Sequence, residues 1–179
     1  MIGIVSYGMG NVGSIANMLK KVGAEANVSS DARFLAACEK LILPGGGHFG
    51  NGMRRLQELG LVDMLAESLL ERRTPILGIC LGAQLMTRHS EESQEQGLGW
   101  IAGDTIRFRF EQADQYLKVP HMGWNTIDPV RPHPVLDGIK TGPDGAHAYV
   151  VHSFHLKPRD EADVVAYADY GGRVTALVA

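Results

Sequence analysis

Cysteine is scarce in this chain: among 179 residues only Cys38 and Cys80 carry thiols. Two cysteines are too few for a disulfide scaffold, so a reduced, cytoplasmic setting is expected. Long apolar runs are missing as well, and none approaches the ~20 residues of a membrane span. The opening Met1-Ile2-Gly3-Ile4-Val5-Ser6 lacks the basic start and extended apolar stretch of a signal peptide, and it reads as a first strand. No charge sign dominates. Lys and Arg number 17 against 20 Asp and Glu, for a net charge of −3. With no basic cluster either, nucleic acid is not expected as a partner. What remains is an ordinary globular composition, 45% hydrophobic and 21% charged. The length suits one α/β domain with a full core, so residues 1–179 are read as a single domain.

The pattern along the chain alternates strand and helix up to about Gly97. Ile2–Ser6, Glu25–Ser29, Lys40–Leu43 and Pro75–Ile79 read as buried strands. Val12–Val22 has helical apolar spacing and ends at Gly23, a natural C-cap, while Asp31–Cys38 reads as a short helix opened by Ser30 or Asp31. Met53–Arg72 reads as a long amphipathic helix interrupted near Gly60. After Gly97 the period changes: Thr105–Phe110, Trp124–Ile127, Ala148–His152 and Val164–Tyr167 read as short strands joined by Pro- and Gly-rich turns. The expected fold is α/β. It has an open, mostly parallel sheet flanked by helices and a more antiparallel second half.

The most informative residues are Gly78-Ile79-Cys80-Leu81-Gly82. A small residue two places either side of a cysteine, between a strand and a helix, is the pattern of a nucleophile elbow, where larger neighbours would block the close approach of strand and helix. Cys80 would then sit at the tip of the turn. The Leu81 N–H and the positive end of the next helix would both favour thiolate and oxyanion. A buried structural cysteine in a Gly-rich turn is the plainer alternative. Pro44-Gly45-Gly46-Gly47 follows another strand with little side chain to cover its backbone. An oxyanion hole needs two converging donors, and Leu81 with a peptide of Gly45–Gly47 could supply them.

Other motifs carry less. Gly8-Met9-Gly10-Asn11-Val12-Gly13 fits G-x-G-x-x-G, with Asp31 about 18 residues beyond it, as in dinucleotide binders. Asp31, however, is also placed to cap a helix. His152 and His155 lack a cysteine or carboxylate at ligand spacing, so no metal is expected, and they read as pocket-wall or hydrogen-bonded core residues.

Together these residues resemble the class I glutamine amidotransferase family along essentially the whole chain. Within that family the likeness is closest to glutaminase subunits of imidazole glycerol phosphate synthases. It is carried by Tyr7–Ser14, Leu43–Gly50, Gly78–Gln84, Gly97–Trp100, Pro120–Asn125 and Val151–Phe154. Gly46 and His48 depart from the commoner residues at their positions. The resemblance implies a flavodoxin-like amidotransferase fold with no cofactor. It implies Cys80 as nucleophile, Gly45, Gly46, Gly47 and Leu81 around the oxyanion, and Gln84, Ser153 and Phe154 as residues that bind glutamine. It also implies a heterodimer in which ammonia is channelled to a (β/α)8-barrel synthase subunit. That subunit would dock near Gly10, Asn11, Met122 and Trp124.

One departure is plain. The family's catalytic histidine and glutamate lie near its C-terminus, but no histidine follows His155 here and no carboxylate follows Asp169. The expectation is a chain lacking its C-terminal His/Glu segment, inactive as written. Other readings stay open: the same chemistry serving a sugar-modifying synthase for surface polysaccharide, a catalytically silent binding subunit, or a nucleotide binder.

Overall fold

The computed structural model describes residues 1–111 and 116–179. The chain packs as two compact units, Met1–Trp100 and Ile101–Ala179. The division falls just after Gly97, where the sequence pattern changes.

The first unit is built on a parallel sheet. Strands β1 (Ile2–Val5), β2 (Ala26–Ser29), β3 (Lys40–Leu43) and β4 (Ile76–Gly78) pair in the order β2-β1-β3-β4. The chain leaves β1 toward β2 and returns to β3 on the other side, so the order reverses between β1 and β3. Ligands of open α/β sheets bind at the C-terminal ends of strands flanking such a reversal. Here those ends lead into Tyr7–Asn11, Pro44–His48 and Cys80.

Helix α1 (Val12–Lys21) starts at Asn11, whose side chain accepts from the Ser14 N–H at 3.0 Å. Helix α2 (Ala32–Ala36) starts at Asp31, which accepts from the Phe34 N–H at 2.8 Å. Asp31 therefore satisfies an orphan helix donor. The dinucleotide reading, which needed that carboxylate for a ribose, loses its acid.

The expected helix over Met53–Arg72 is three segments and starts earlier. Helix α3 spans Phe49–Glu58, α4 spans Leu61–Ala66, and a π-helical turn covers Glu67–Glu71. The break at Gly60 is as expected, with φ at +64°. The early start has a tertiary cause. His48 Nδ1 accepts from Gly50 N–H at 3.1 Å and Glu92 Oε2 accepts from Phe49 N–H at 2.7 Å, which supplies partners for two of the four N-terminal donors. Helix α5 (Leu81–Leu85) and the two-residue strand β5 (His89–Ser90) complete the unit's main elements. Ile4, Leu41, Leu43, Phe49, Leu81 and Leu85 are among its buried core residues. Each such side chain contributes about 1.5–3 kcal/mol by leaving water.

The second unit is antiparallel. Strands β6 (Gly103–Arg107), β8 (Asp128–Pro129), β10 (Phe154–Pro158), β11 (Val164–Asp169) and β12 (Arg173–Val178) pair in the order β6-β10-β12-β11-β8. A separate two-stranded ribbon joins β7 (His121–Thr126) to β9 (His147–His152). The strand expected over Thr105–Phe110 is shifted to Gly103–Arg107, where its register is set by β10, with Leu156 opposite Thr105.

Candidate active site

Cys80 sits between β4 and α5 with φ +53° and ψ −117°. This is backbone a non-glycine residue avoids, and it costs about 1–3 kcal/mol. The strain persists because both flanks are clamped. Ile79 N–H donates to the Leu43 carbonyl at 3.0 Å, and Ala83 and Gln84 N–H donate to the Cys80 carbonyl at 3.0 and 3.1 Å. The side chain is exposed at the turn tip.

The glycines around Cys80 make these clamps possible. A Cβ on Gly78 would lie 2.7 Å from Ala83 Cα. One on Gly82 would overlap the Leu43 carbonyl oxygen and lie 2.7 Å from its carbon. One on Gly45 would lie 2.6 Å from Leu81 Cβ, and one on Gly10 would lie 2.9 Å from the Gly45 nitrogen. The first turn, the Pro44–Gly47 loop and the elbow thus meet backbone to backbone.

The three candidate oxyanion glycines are not equivalent. Gly45 is a packing residue. Gly47 holds φ at +107°, out of reach of ordinary side chains. Gly46 has neither constraint; its nearest neighbour to an added Cβ is Gly10 Cα at 3.7 Å. Gly46→Ala is therefore expected to melt within about 2 °C of the parent, whereas Gly45→Ala loses about 2 kcal/mol or more. Thermal denaturation of the two variants checks this, and equal losses would contradict it.

Tyr7 went unnoticed as a site residue in the sequence. Fully buried at the end of β1, it donates its hydroxyl to the Pro44 carbonyl at 2.6 Å. Burial pushes its pKa well up, and a Cys80 thiolate would push it further in the same direction. A tyrosine in a glycine-rich turn gives little sign of this role, because the partner is 37 residues away.

Two effects oppose each other at the Cys80 thiol. Loss of water around it raises its pKa above the ordinary value of 9.0. The hydrogen bond from the Leu81 backbone acts in the opposite direction but is the smaller effect. Helix α5 has only five residues, so its dipole is short. A neighbouring base is needed to activate this thiol at neutral pH.

The other candidates fall as follows. Gln84 lies one helical turn beyond Cys80 in α5, half-buried. Gly10 and Asn11 are exposed in the first turn of the first unit. Ser153 and Phe154 form the corner between β9 and β10 in the second unit, where the Ser153 carbonyl accepts from Phe108 N–H at 3.1 Å. Met122 and Trp124 project from one face of β7, exposed, opposite Val151 and Tyr149 of β9, which are also exposed. Trp124 and Tyr149 make an edge-on pair with centroids 5.4 Å apart.

Comparison with known proteins decides the family. The model of the class-I glutamine amidotransferases matches residues 4–179. This chain belongs to that family. It is 46% identical over 179 residues to imidazole glycerol phosphate synthase subunit HisH 2 of Pseudomonas aeruginosa, covering 100% of this chain and 86% of that protein. It is 44% identical over 185 residues to the HisH subunit of Rhodopseudomonas palustris, covering 99% and 85% respectively. The fold agrees with a solved glutamine amidotransferase at TM-score 0.70 and 18% identity, covering 93% of this chain and 79% of that one. It also agrees with the PurLQS structure from Thermotoga maritima at TM-score 0.67 and 19% identity, covering 94% and 74%. Among the described residues, no helix is long and apolar enough to cross a membrane.

Proposed function

We propose that this amidotransferase chain is the glutaminase subunit of an imidazole glycerol phosphate synthase, acting in cytoplasmic histidine biosynthesis. The observation that carries the chemistry is the strained elbow. It presents Cys80 with the Leu81 N–H beside it and the Gly45–Gly47 loop packed against Leu81 and Gly82. The names of the relatives, and a similarity that runs along the whole of this chain, support the pathway.

In this reading Cys80 attacks the side-chain amide of glutamine. The oxyanion is held by Leu81 N–H and a peptide of the Gly45–Gly47 loop, ammonia departs, and water releases glutamate from the thioester. Gln84 binds the substrate one turn along the helix, and Ser153 and Phe154 hold its amino-acid end. Ammonia passes to a (β/α)8-barrel subunit. The exposed Met122, Trp124, Tyr149 and Val151 face of the β7–β9 ribbon suits such a partner, because aromatic anchors dominate interface energetics. Gly10 and Asn11 belong to the same docking role.

In this reading none of residues 1–179 serves as the general base for Cys80. A polypeptide of only these residues is therefore expected to release glutamate no faster than its Cys80→Ala variant. The native gene product, assayed with its co-purifying synthase subunit, is expected to turn over glutamine in a Cys80-dependent way. Glutaminase turnover by residues 1–179 alone, abolished in Cys80→Ala, would place the base elsewhere and overturn this assignment.

A further inference from the structure

The second unit holds a pair of histidines whose four ring nitrogens are almost fully accounted for. His121 in β7 and His152 in β9 face each other across the ribbon, with His121 Nδ1 and His152 Nε2 3.1 Å apart. His152 Nδ1 lies 2.8 Å from the Phe154 carbonyl oxygen. A carbonyl can only accept, so the proton is on Nδ1. Neutral His152 then accepts at Nε2, and His121 must donate from its own Nδ1. His121 Nε2 is left to accept, and Asn125 Nδ2 lies 3.3 Å from it. The amide orientation of Asn125 is fixed independently, since Nδ2 donates to the Asp169 carbonyl at 2.8 Å and Oδ1 accepts from Thr126 N–H at 2.8 Å. The relay therefore has one polarity, from Asn125 through His121 and His152 to Phe154, anchored at each end on a backbone carbonyl.

Its surroundings favour the neutral form. His121 is 4% exposed and stacks on Tyr170 with centroids 3.8 Å apart. Phe108 stands edge-on to both rings, at 6.1 Å from His121 and 5.1 Å from His152. Among the described residues, the titratable and charged groups on the packed elements place no carboxylate on a ring nitrogen of the pair. From β10, His155 lies 4.8 Å from Phe108, its Nδ1 on the Leu156 carbonyl. From the β11–β12 turn, Tyr170 donates its hydroxyl to the Lys118 carbonyl, and the Asp169 carboxylate accepts from Gly172 N–H at 3.4 Å. From β6 and beyond, Arg107 lies over the Phe154 ring at 6.0 Å, and Arg109 follows Phe108 in the chain. Burial lowers both histidine pKa values below the ordinary 6.5, and their mutual repulsion lowers that of His121 further.

We propose that His121 and His152 are a positioning pair, a clasp that closes only when both rings are neutral and that fixes the Ser153–Phe154 corner and the β7–β9 ribbon against Phe108 and Tyr170. A proton added at His152 Nε2 would face the His121 donor, and one added at His121 Nε2 would face the Asn125 donor. Neither can enter without breaking the relay. The clasp is thus present above the ordinary histidine pKa and is lost as pH falls through the depressed folded-state values. Its consequence for glutamine rests on the substrate-binding role proposed above for Ser153 and Phe154. The clasp itself does not, and it is read without substrate.

The test is nitrogen-15 NMR of the histidine-labelled chain, with amide hydrogen exchange at Ser153 and Phe154. At pH 7.5 both imidazoles are expected as Nδ1–H tautomers. Exchange at the corner is expected to rise at least tenfold, after correction for intrinsic rates, as pH falls from above the ordinary 6.5 through the lowered folded-state values. His152→Asn keeps a donor for the Phe154 carbonyl and cannot take a second proton, so the acid-dependent rise is expected to shrink to the part that His121 alone contributes. An Nε2–H tautomer on either ring, or an unchanged acid response in His152→Asn, overturns the proposal. Should that variant not fold, the tautomers and titration of the parent decide alone.

Discussion

Cys80→Gly is expected to melt at a higher temperature than the parent while losing glutaminase turnover. The stability gain comes from the backbone. At φ +53° and ψ −117° a cysteine carries strain that glycine does not. Glycine forfeits some of that gain through its greater freedom when unfolded, so about 1 kcal/mol is expected to remain. Cys80→Ala provides the comparison, because it removes the thiol but keeps the Cβ and the strain. It should stay near the parent in stability, and the difference between the two variants isolates the conformational term. Both lose the nucleophile, so turnover of the native gene product with its synthase partner should fall on the order of 10⁴-fold or more. Melting curves and glutamate release are the measurements. If Cys80→Gly is no more stable than Cys80→Ala, the elbow is not strained in the folded protein.

Gly82→Ala is expected to be the most destabilising single methyl addition in the first unit. The new Cβ would overlap the Leu43 carbonyl oxygen and lie 3.1 Å from the Pro44 carbonyl carbon. These neighbours are main chain and cannot rotate aside. The Leu43 carbonyl also accepts the Ile79 N–H at 3.0 Å, so moving it breaks the bond that fixes the strand side of the elbow. A loss of about 3 kcal/mol or more is expected, which lowers the melting temperature by roughly 6–12 °C for a chain of this size. Gly13→Ala is the control, because an added Cβ meets only Asn11 Oδ1 at 3.8 Å. Equal melting temperatures for the two variants would mean that the elbow relaxes at little cost.

The elbow was legible in sequence because its signal is local. Gly78, Cys80 and Gly82 lie within five residues; an added Cβ on Gly78 would meet Ala83 of α5 and one on Gly82 would meet Leu43 of β3. Asp31 as a cap and Gly60 as a break were legible for the same reason. The start of α3 was not. Gly50 and Gly52 precede the expected start at Met53, yet both lie inside the helix. Gly52 is there because a Cβ would lie 3.1 Å from Leu85, and Gly50 because Ser93 crowds it. Tertiary packing outweighed helix propensity at both positions.

Strands β10 and β12 were missed for different reasons. Only Ser153 separates β9 from β10, and the expected strand stopped at His152 with no turn signal to announce a second strand after it. β12 pairs with β11 through shifted register, which leaves no clean alternation. The histidine relay was out of reach altogether. Its members lie 31 residues apart, and only the pairing of β7 with β9 brings them opposite each other.

The two cysteines differ in a way that matters at the bench. Cys38 is 5% exposed, with its thiol directed at the Phe34 carbonyl, and burial raises its pKa. Cys80 stands open at the turn tip. The molecule therefore carries one addressable handle, located on the reacting atom itself. At a pH alkaline enough to ionise this thiol, a fluorophore or spin label reports from the nucleophile without any engineered cysteine. A stoichiometry of one label per chain marks a folded preparation, because the second thiol, Cys38, becomes reachable only on unfolding.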